Sequence, residues 1–285
     1  MQKKEQQKGK VNSVPHKLVK WLKNGNPYLW IGLFMTGVAV GLAVLGIFWT
    51  PYSTTEMSAA ERFVGPSLKH LFGTDNFGRD IFSRVMEGAG ITILISSLVV
   101  LFSGTLGILI GAVTGYMGGV VDELVMRVTD AVNGFPSILL ALVMISIMGS
   151  GNQNLILSLG IVFTPSFVRI VRSEFIRLRD ADYISRARLM GVGRLRILFV
   201  HILPNIFSTF WVSVMIGFNN GILAESGMSY LGIGVQPPEA SLGKMLSDAQ
   251  GYLMKAPWYA LAPGLTIVWI VLGFSLLSEG IRRKS

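Results

Sequence analysis

Six apolar stretches alternate with polar segments along the chain. Residues 29–49 and 91–115 are uncharged runs of 21 and 25 residues. A bilayer core asks for ~20 consecutive, mostly apolar residues per helix, so each run predicts a membrane span. Residues 132–149 form a shorter run with Pro136 near its start, a place that suits the first turn of a helix. Beyond the polar break Ser150, Gly151, Asn152, Gln153, Asn154 comes the weakest run, residues 155–168. It spans only by drawing in Asn152 or the residues past Arg169, with that arginine snorkelling toward the headgroups. Residues 202–223 and 259–278 supply the fifth and sixth runs. The pattern predicts an all-α polytopic membrane protein with six transmembrane helices. The first run reads as a retained anchor: it exceeds the ~7–15 residues of a signal-peptide core, and no small-x-small site follows Trp49.

The organisation that follows is a basic tail (1–28), a first helix (29–49) and a polar segment (50–90). A core of five further helices (91–278) contains a long loop at 173–201, and a short C-terminus (279–285) ends the chain. Composition agrees with this, since 51% of residues are hydrophobic and only 14% charged, against ~25% charged in an ordinary soluble domain. There is no cysteine, which excludes disulfides and thiolate chemistry. The net charge of +9 would raise nucleic acid as a partner in a soluble protein. Here the basic residues have a different place. The tail holds seven lysines, residues 169–201 eight arginines, and the C-terminus three basic residues, together 18 of the 25. With six spans these three segments fall on one side, which the positive-inside rule makes the cytoplasm. Residues 116–131 fall on that side too and are the exception, with one arginine against three acids.

Charged residues within spans mark ion or proton pathways, and none of the six runs carries one at its centre. That disfavours an ion-coupled transporter, a voltage sensor and a channel with a charged selectivity ring. There is no G-x-x-x-x-G-K-[ST] loop, so ATP is not bound by that device. His16, His70 and His201 make no ligand motif, and neither H-E-x-x-H nor G-x-S-x-G occurs. No catalytic residue, metal site or cofactor site is expected. Gly107, Gly111, Gly115 and Gly119 recur at intervals of four, placing small residues on one helix face where a neighbouring helix can approach closely. Gly37 and Gly41 are a single such pair and carry less weight.

The most informative stretch is residues 174–205, where arginines interleave with apolar residues. Helical spacing puts Tyr183, Ala187 and Met190 on one face, with Ile184 and Arg188 alongside. Gly191-Val192-Gly193 breaks the helix, and a second short helix from Arg194 leads toward Pro204. Such an element suits a groove in a partner protein, or equally a layer of anionic lipid headgroups.

These residues resemble the cytoplasmic signature loop of ABC-importer permeases. Ala187, Gly191, Leu203 and Pro204 match its pattern, whereas Ser185, Arg186 and His201 depart from it. The Asp182-Tyr183 lead-in and the His-x-Leu-Pro-Asn ending are similar to the dipeptide/oligopeptide/nickel branch. So are three other blocks. The first runs Gly73, Thr74, Asp75, Asn76, Phe77, Gly78, Arg79, Asp80, Ile81, Phe82, Ser83, Arg84. The second has Gly115, Tyr116, Met117, Gly118, Gly119 with Asp122, Glu123, Met126, Arg127 and Phe135-Pro136. The third has Leu223-Ala224-Glu225, Ser229-Tyr230-Leu231-Gly232 and Gly234-Val235-Gln236-Pro237-Pro238.

The resemblance implies a type I importer permease fold. It also implies work beside a homologous second permease, two cytoplasmic ATPase subunits that hold ATP and Mg, and an extracytoplasmic solute-binding protein. Residues 183–190 would then be the coupling helix, with Asp182, Tyr183, Ala187, Arg188, Gly191, Leu203 and Pro204 as docking and hinge residues. Residues 50–90 and 225–258 would face the binding protein. There Gly73, Asp75, Gly78, Arg79 and Asp80 read as a salt-bridged turn at the entry to the second span, which Glu225 caps or pairs with. Short peptides are the first expected substrate and nickel or a metal chelate the second; a membrane scaffold without transport is the alternative of another class.

Overall fold

The structure is a computed structural model that describes residues 27–179, 181–193 and 196–283. Most of the basic tail, the Arg188 side chain, Arg194 and the last two residues lie outside the described residues. Among the described residues nine α-helices follow in order: α1 (Pro27–Phe48), α2 (Ile81–Met117), α3 (Gly119–Asn133), α4 (Ser137–Met148), α5 (Asn152–Arg179), α6 (Asp182–Leu189), α7 (Leu203–Tyr230), α8 (Leu242–Ala249) and α9 (Pro257–Arg282). A wide π-helical turn, Ile197–Ile202, leads into α7, and the described residues contain no β-strand.

Four helices, α1, α2, α5 and α9, are each long and apolar enough to cross a membrane. The other two expected spans are bent. α3 and α4 qualify only together and meet at 90°, and the stretch Val200–Tyr230, which takes in α7, is bent by 48° between Phe207 and Thr209. The expected third span, 132–149, is thus interrupted. α4 alone has 12 residues, ~18 Å of helix against a ~30 Å hydrocarbon core. Gly134, Phe135 and Pro136 separate it from α3, because a residue before proline is pushed out of the helical region. α2 begins at Ile81, well ahead of the expected start at residue 91, and its 37 residues make ~55 Å of helix, longer than a ~30 Å hydrocarbon core. The weak fourth run becomes the 28-residue α5 by taking up both of the alternative extensions, Asn152 before it and residues 169–179 after it.

α2 and α5 run parallel. Gly107 lies against Phe167, Gly111 against Val168 and Val171, and Gly115 against Arg172 and Phe175. α1 and α9 run antiparallel, with Gly32 against Leu277, Gly273 against Thr36 and Gly280 against Leu29. Lipid tails are as apolar as leucine, so close van der Waals approach at small residues holds such pairs together. Gly37 and Gly41 face open space. The first described residue, α6 and the end of α9 share one side of the bundle, here the α6 side. Residues 49–80, the α4–α5 turn and α8 share the opposite, α8 side.

Three apolar clusters fill the bundle. One joins α1, α2, α7, α8 and α9 around Ile81, Ile222, Met245, Tyr259 and Ile270. A second joins α2, α4, α5 and α7 through Ile95, Val99, Ile145, Leu159 and Met228. The third lies on the α6 side, where Ala112, Val171 and Phe175 receive Ile184, Ile197, Ile202 and Ile206.

Candidate functional site

On the α6 side, α6 is an eight-residue helix in which Ile184 is the one fully buried side chain among the described residues. It sits in the third cluster, while Tyr183 is 44% and Met190 80% exposed. Ala187 is half-buried, and Asp182 opens the helix from an exposed position. The helix ends in a Schellman motif: the Val192 N–H donates to Ala187 O (3.1 Å) across Gly191, whose φ is +77°. A residue with a Cβ would pay ~1–2 kcal/mol in that conformation. Beneath the turn lies a cleft of 680 Å³ lined by Tyr116, Met117, Arg179, Gly191, Val192, Gly193 and Ile197.

The chain then enters α7 through the π turn. Leu203 N–H reaches back five residues to Leu198 O, and Pro204, which has no N–H to donate, sits in the first turn. Leu203 is half-buried against the third cluster and Pro204 is exposed. The face expected to gather Tyr183, Ala187 and Met190 is therefore the outward one, and Ile184 is the anchor.

Two ion pairs on this side tie α3 to α5. Arg172 holds Asp122 with both arms of its guanidinium (Nη2 to Oδ2, 2.5 Å), and Arg169 Nη2 donates to Asp130 Oδ1 (2.8 Å). The outer face of α3, with Val120, Leu124 and Val128, is exposed. Gly119 does not continue the glycine face of α2. The helix stops at Met117, Gly118 and Gly119 turn the chain at φ +66° and +61°, and Gly119 has nothing within 4 Å.

On the α8 side, residues 73–80 form a compact charged turn. Asp75, fully buried, accepts from the N–H groups of Phe77 (2.8 Å) and Arg79 (3.0 Å) and from Arg79 Nε (2.7 Å). Asp80 caps α2 by accepting from Ser83 N and Ser83 Oγ, both at 2.7 Å, and pairs with buried His70 Nδ1 at 2.9 Å. Gly73 and Gly78 turn the chain at φ +75° and +79°. Arg84, one turn into α2, donates to Thr54 O (3.2 Å) and closes the segment over the helix start. Sequence spacing alone gave no reason to join His70 to Asp80, ten residues on.

Glu225 does not join this turn. It is fully buried on α7 among hydroxyls: Ser229 Oγ donates to it at 2.7 Å, Ser226 Oγ lies at 3.4 Å, and Thr92 and Ser241 also reach it. Among the described residues no cation pairs with it. The expected contact fails because Thr92 on α2 and Ser241 ahead of α8 enclose the carboxyl away from residues 73–80. Nearby, residues 150–154 and 236–239 line a polar recess of 470 Å³, across which Asn152 Nδ2 donates to Glu239 Oε2 (2.6 Å).

Comparison with known proteins gives these features a context. Residues 107–284 match the family described as binding-protein-dependent transport system inner membrane component. A dipeptide transport system permease protein of Alkalihalophilus pseudofirmus is 38% identical, over 88% of this chain and 83% of its own. A glutathione transport system permease protein of Pectobacterium atrosepticum is also 38% identical, over 86% and 84%. Among solved structures, a chain of the MetNI methionine ABC transporter in an inward-facing conformation superposes with a TM-score of 0.54. It shares 18% identity, over 71% of this chain and 96% of that one, which speaks for the fold. The matched region runs from the glycine face of α2 through α6 to the end of α9, and the chain belongs to the family of inner-membrane permease components of binding-protein-dependent transport systems.

Proposed function

We propose that this chain is one of two homologous permease subunits of an ATP-driven importer of short peptides. It lies in the plasma membrane of a prokaryote with the α6 side in the cytoplasm. The observation that carries the reading is α6: a short helix whose one fully buried side chain among the described residues is Ile184, with Tyr183, Leu189 and Met190 turned outward at one end of a membrane bundle. Exposed apolar side chains on a polar-rimmed helix mark a protein interface. A pair of cytoplasmic ATPase subunits, which hold ATP and Mg, supplies the occupant. Closure of those subunits pushes α6, and the path from Ile184 through Val171 and Phe175 leads that push into α5 and α7. The basic segments support the orientation. The dipeptide and glutathione permeases among its relatives support short peptides as cargo. Solute arrives from an extracytoplasmic binding protein on the α8 side. The chain itself does no catalysis.

The test is uptake and ATP hydrolysis by the purified complex. Ala187→Asp and Gly191→Asp are expected to abolish both peptide uptake and the ATP hydrolysis stimulated by the binding protein, while the variants still insert and assemble with the second permease. Full transport by both variants would refute the assignment of α6.

A further inference from the structure

Glu225 is a fully buried carboxyl that neither ion pairing nor the coupling element explains, and its hydrogen bonds lead outward. Ser229 Oγ donates to Glu225 Oε1 (2.7 Å), which leaves the lone pairs of Ser229 free, and the Val235 N–H donates to them (3.1 Å). Gly234 packs so tightly on Ser229 that a Cβ there would stand 2.7 Å from Ser229 N. Beyond Val235 the chain forms one wall of the polar recess, ending at Glu239 and its bond to Asn152 on the other wall. The inner end is equally fixed: Thr92 Oγ1 accepts from Leu242 N (3.4 Å), and Ser241 Oγ caps α8 through Lys244 N (3.1 Å).

We propose that Glu225 is a positioning residue for the mouth of the pathway, setting residues 231–239 through Ser229 and Val235 so that the solute-binding protein docks on a preformed rim. Docking at this mouth rests on the importer reading; the relay rests on the hydrogen bonds alone. The physical reason is the direction of the Ser229 hydroxyl. A serine in a helix otherwise turns its hydrogen toward the carbonyl four residues back. The carboxyl at 225 draws it away and fixes which side of the oxygen meets Val235. A glutamine preserves an acceptor at that place, whereas an alanine removes it.

The experiment uses the assembled importer in lipid nanodiscs and the solute-binding protein purified with its native cargo. Hydrogen exchange over residues 231–239 is measured first. Glu225→Ala is expected to speed it by about tenfold and Glu225→Gln to leave it near wild type. ATP hydrolysis is then titrated with the binding protein. Glu225→Ala is expected to raise the half-saturating concentration by about tenfold with the maximal rate unchanged, a split that loss of folded protein does not produce. Unchanged exchange in Glu225→Ala overturns the relay. Faster exchange with an unchanged half-saturating concentration overturns the docking role. If the binding protein does not stimulate the wild-type complex, the importer reading fails, and the exchange measurement still decides the relay. Should Glu225→Ala not assemble, Ser229→Ala removes the middle link and is read the same way.

Discussion

Replacing Gly111 by alanine adds one methyl group to the face on which α2 meets α5. In a helix exposed to its solvent this change is favourable, because alanine loses less backbone entropy than glycine, by ~1 kcal/mol. At Gly111 the new Cβ would stand 2.7 Å from Val168 O, 2.9 Å from Val171 Cβ and 3.1 Å from Arg172 N. The carbonyl contact is ~0.7 Å short of ordinary van der Waals separation. Two of the three atoms are backbone, so no rotamer change relieves the overlap and α5 itself must move. Overpacking of this kind costs ~1–3 kcal/mol. Displacing α5 also loosens the neighbouring approaches at Gly107 and Gly115. The propensity gain offsets part of the cost, leaving a net destabilisation of up to ~2 kcal/mol.

The same substitution on α1 supplies the reference. A Cβ at Gly37 or Gly41 meets nothing within 4 Å, so Gly37→Ala and Gly41→Ala are expected to stabilise by ~0.5–1 kcal/mol. Reversible unfolding in mixed micelles, followed by helical circular dichroism, would compare them. The chemically identical changes should differ by ~2 kcal/mol between α2 and α1. If Gly111→Ala fell within ~0.5 kcal/mol of Gly37→Ala, the argument that close backbone approach holds α2 to α5 would be refuted.

Asp80→Ala removes two hydrogen bonds to Ser83 and the partner of His70; a loss of ~1–3 kcal/mol is expected in the same unfolding assay, with Asp80→Asn milder. A double-mutant cycle on Asp122 and Arg172 should give a coupling of ~1 kcal/mol, since the pair is bidentate but partly exposed. Arg172→Lys should lose most of it, because lysine cannot make the fork. Gly191→Asn should retain more uptake than Gly191→Val, as asparagine tolerates φ near +77° and a β-branched residue does not, while neither meets a neighbour there. Equal activity of the two would place the role of Gly191 elsewhere than in its backbone.

Hydropathy made the helical membrane bundle legible because lipid imposes one dominant requirement, a long apolar run whose backbone bonds are satisfied within itself. Where that run was weak, the structure settles it by length: α5 carries Arg169 and Arg172 within a continuous helix that ends at Arg179. Pro136 was legible as a helix start, yet the 90° break ahead of it depends on how α3 packs, which spacing does not encode. Likewise the four-residue glycine period was visible from 107 to 119, but Gly118 and Gly119 adopt positive φ and end the face at Gly115. A regular spacing establishes a helix face only as far as the helix lasts. Glu225 shows the other limit. Its partners come from α2, α7 and the residue before α8, so its hydroxyl cage exists only in three dimensions.

The acidic segment at 116–131 tests how charge should be counted. Summed along the chain, its three acids oppose the basic excess of the segments on the same side. In the fold, Asp122 meets Arg172, Asp130 meets Arg169, and Glu123 meets Arg127 within α3. The arginines that answer two of these acids belong to the end of α5, some forty to fifty residues later in sequence. Each such pair is nearly neutral at a distance greater than a Debye length of ~8 Å, so α3 presents little net negative charge to its surroundings. The same pairs explain why a helix with so exposed an apolar outer face stays on the bundle. The acids add to the packing of α3 on α5, while Val120, Leu124 and Val128 face outward. The acidic segment thus ceases to oppose the positive-inside expectation once charges are counted by neighbourhood instead of by loop.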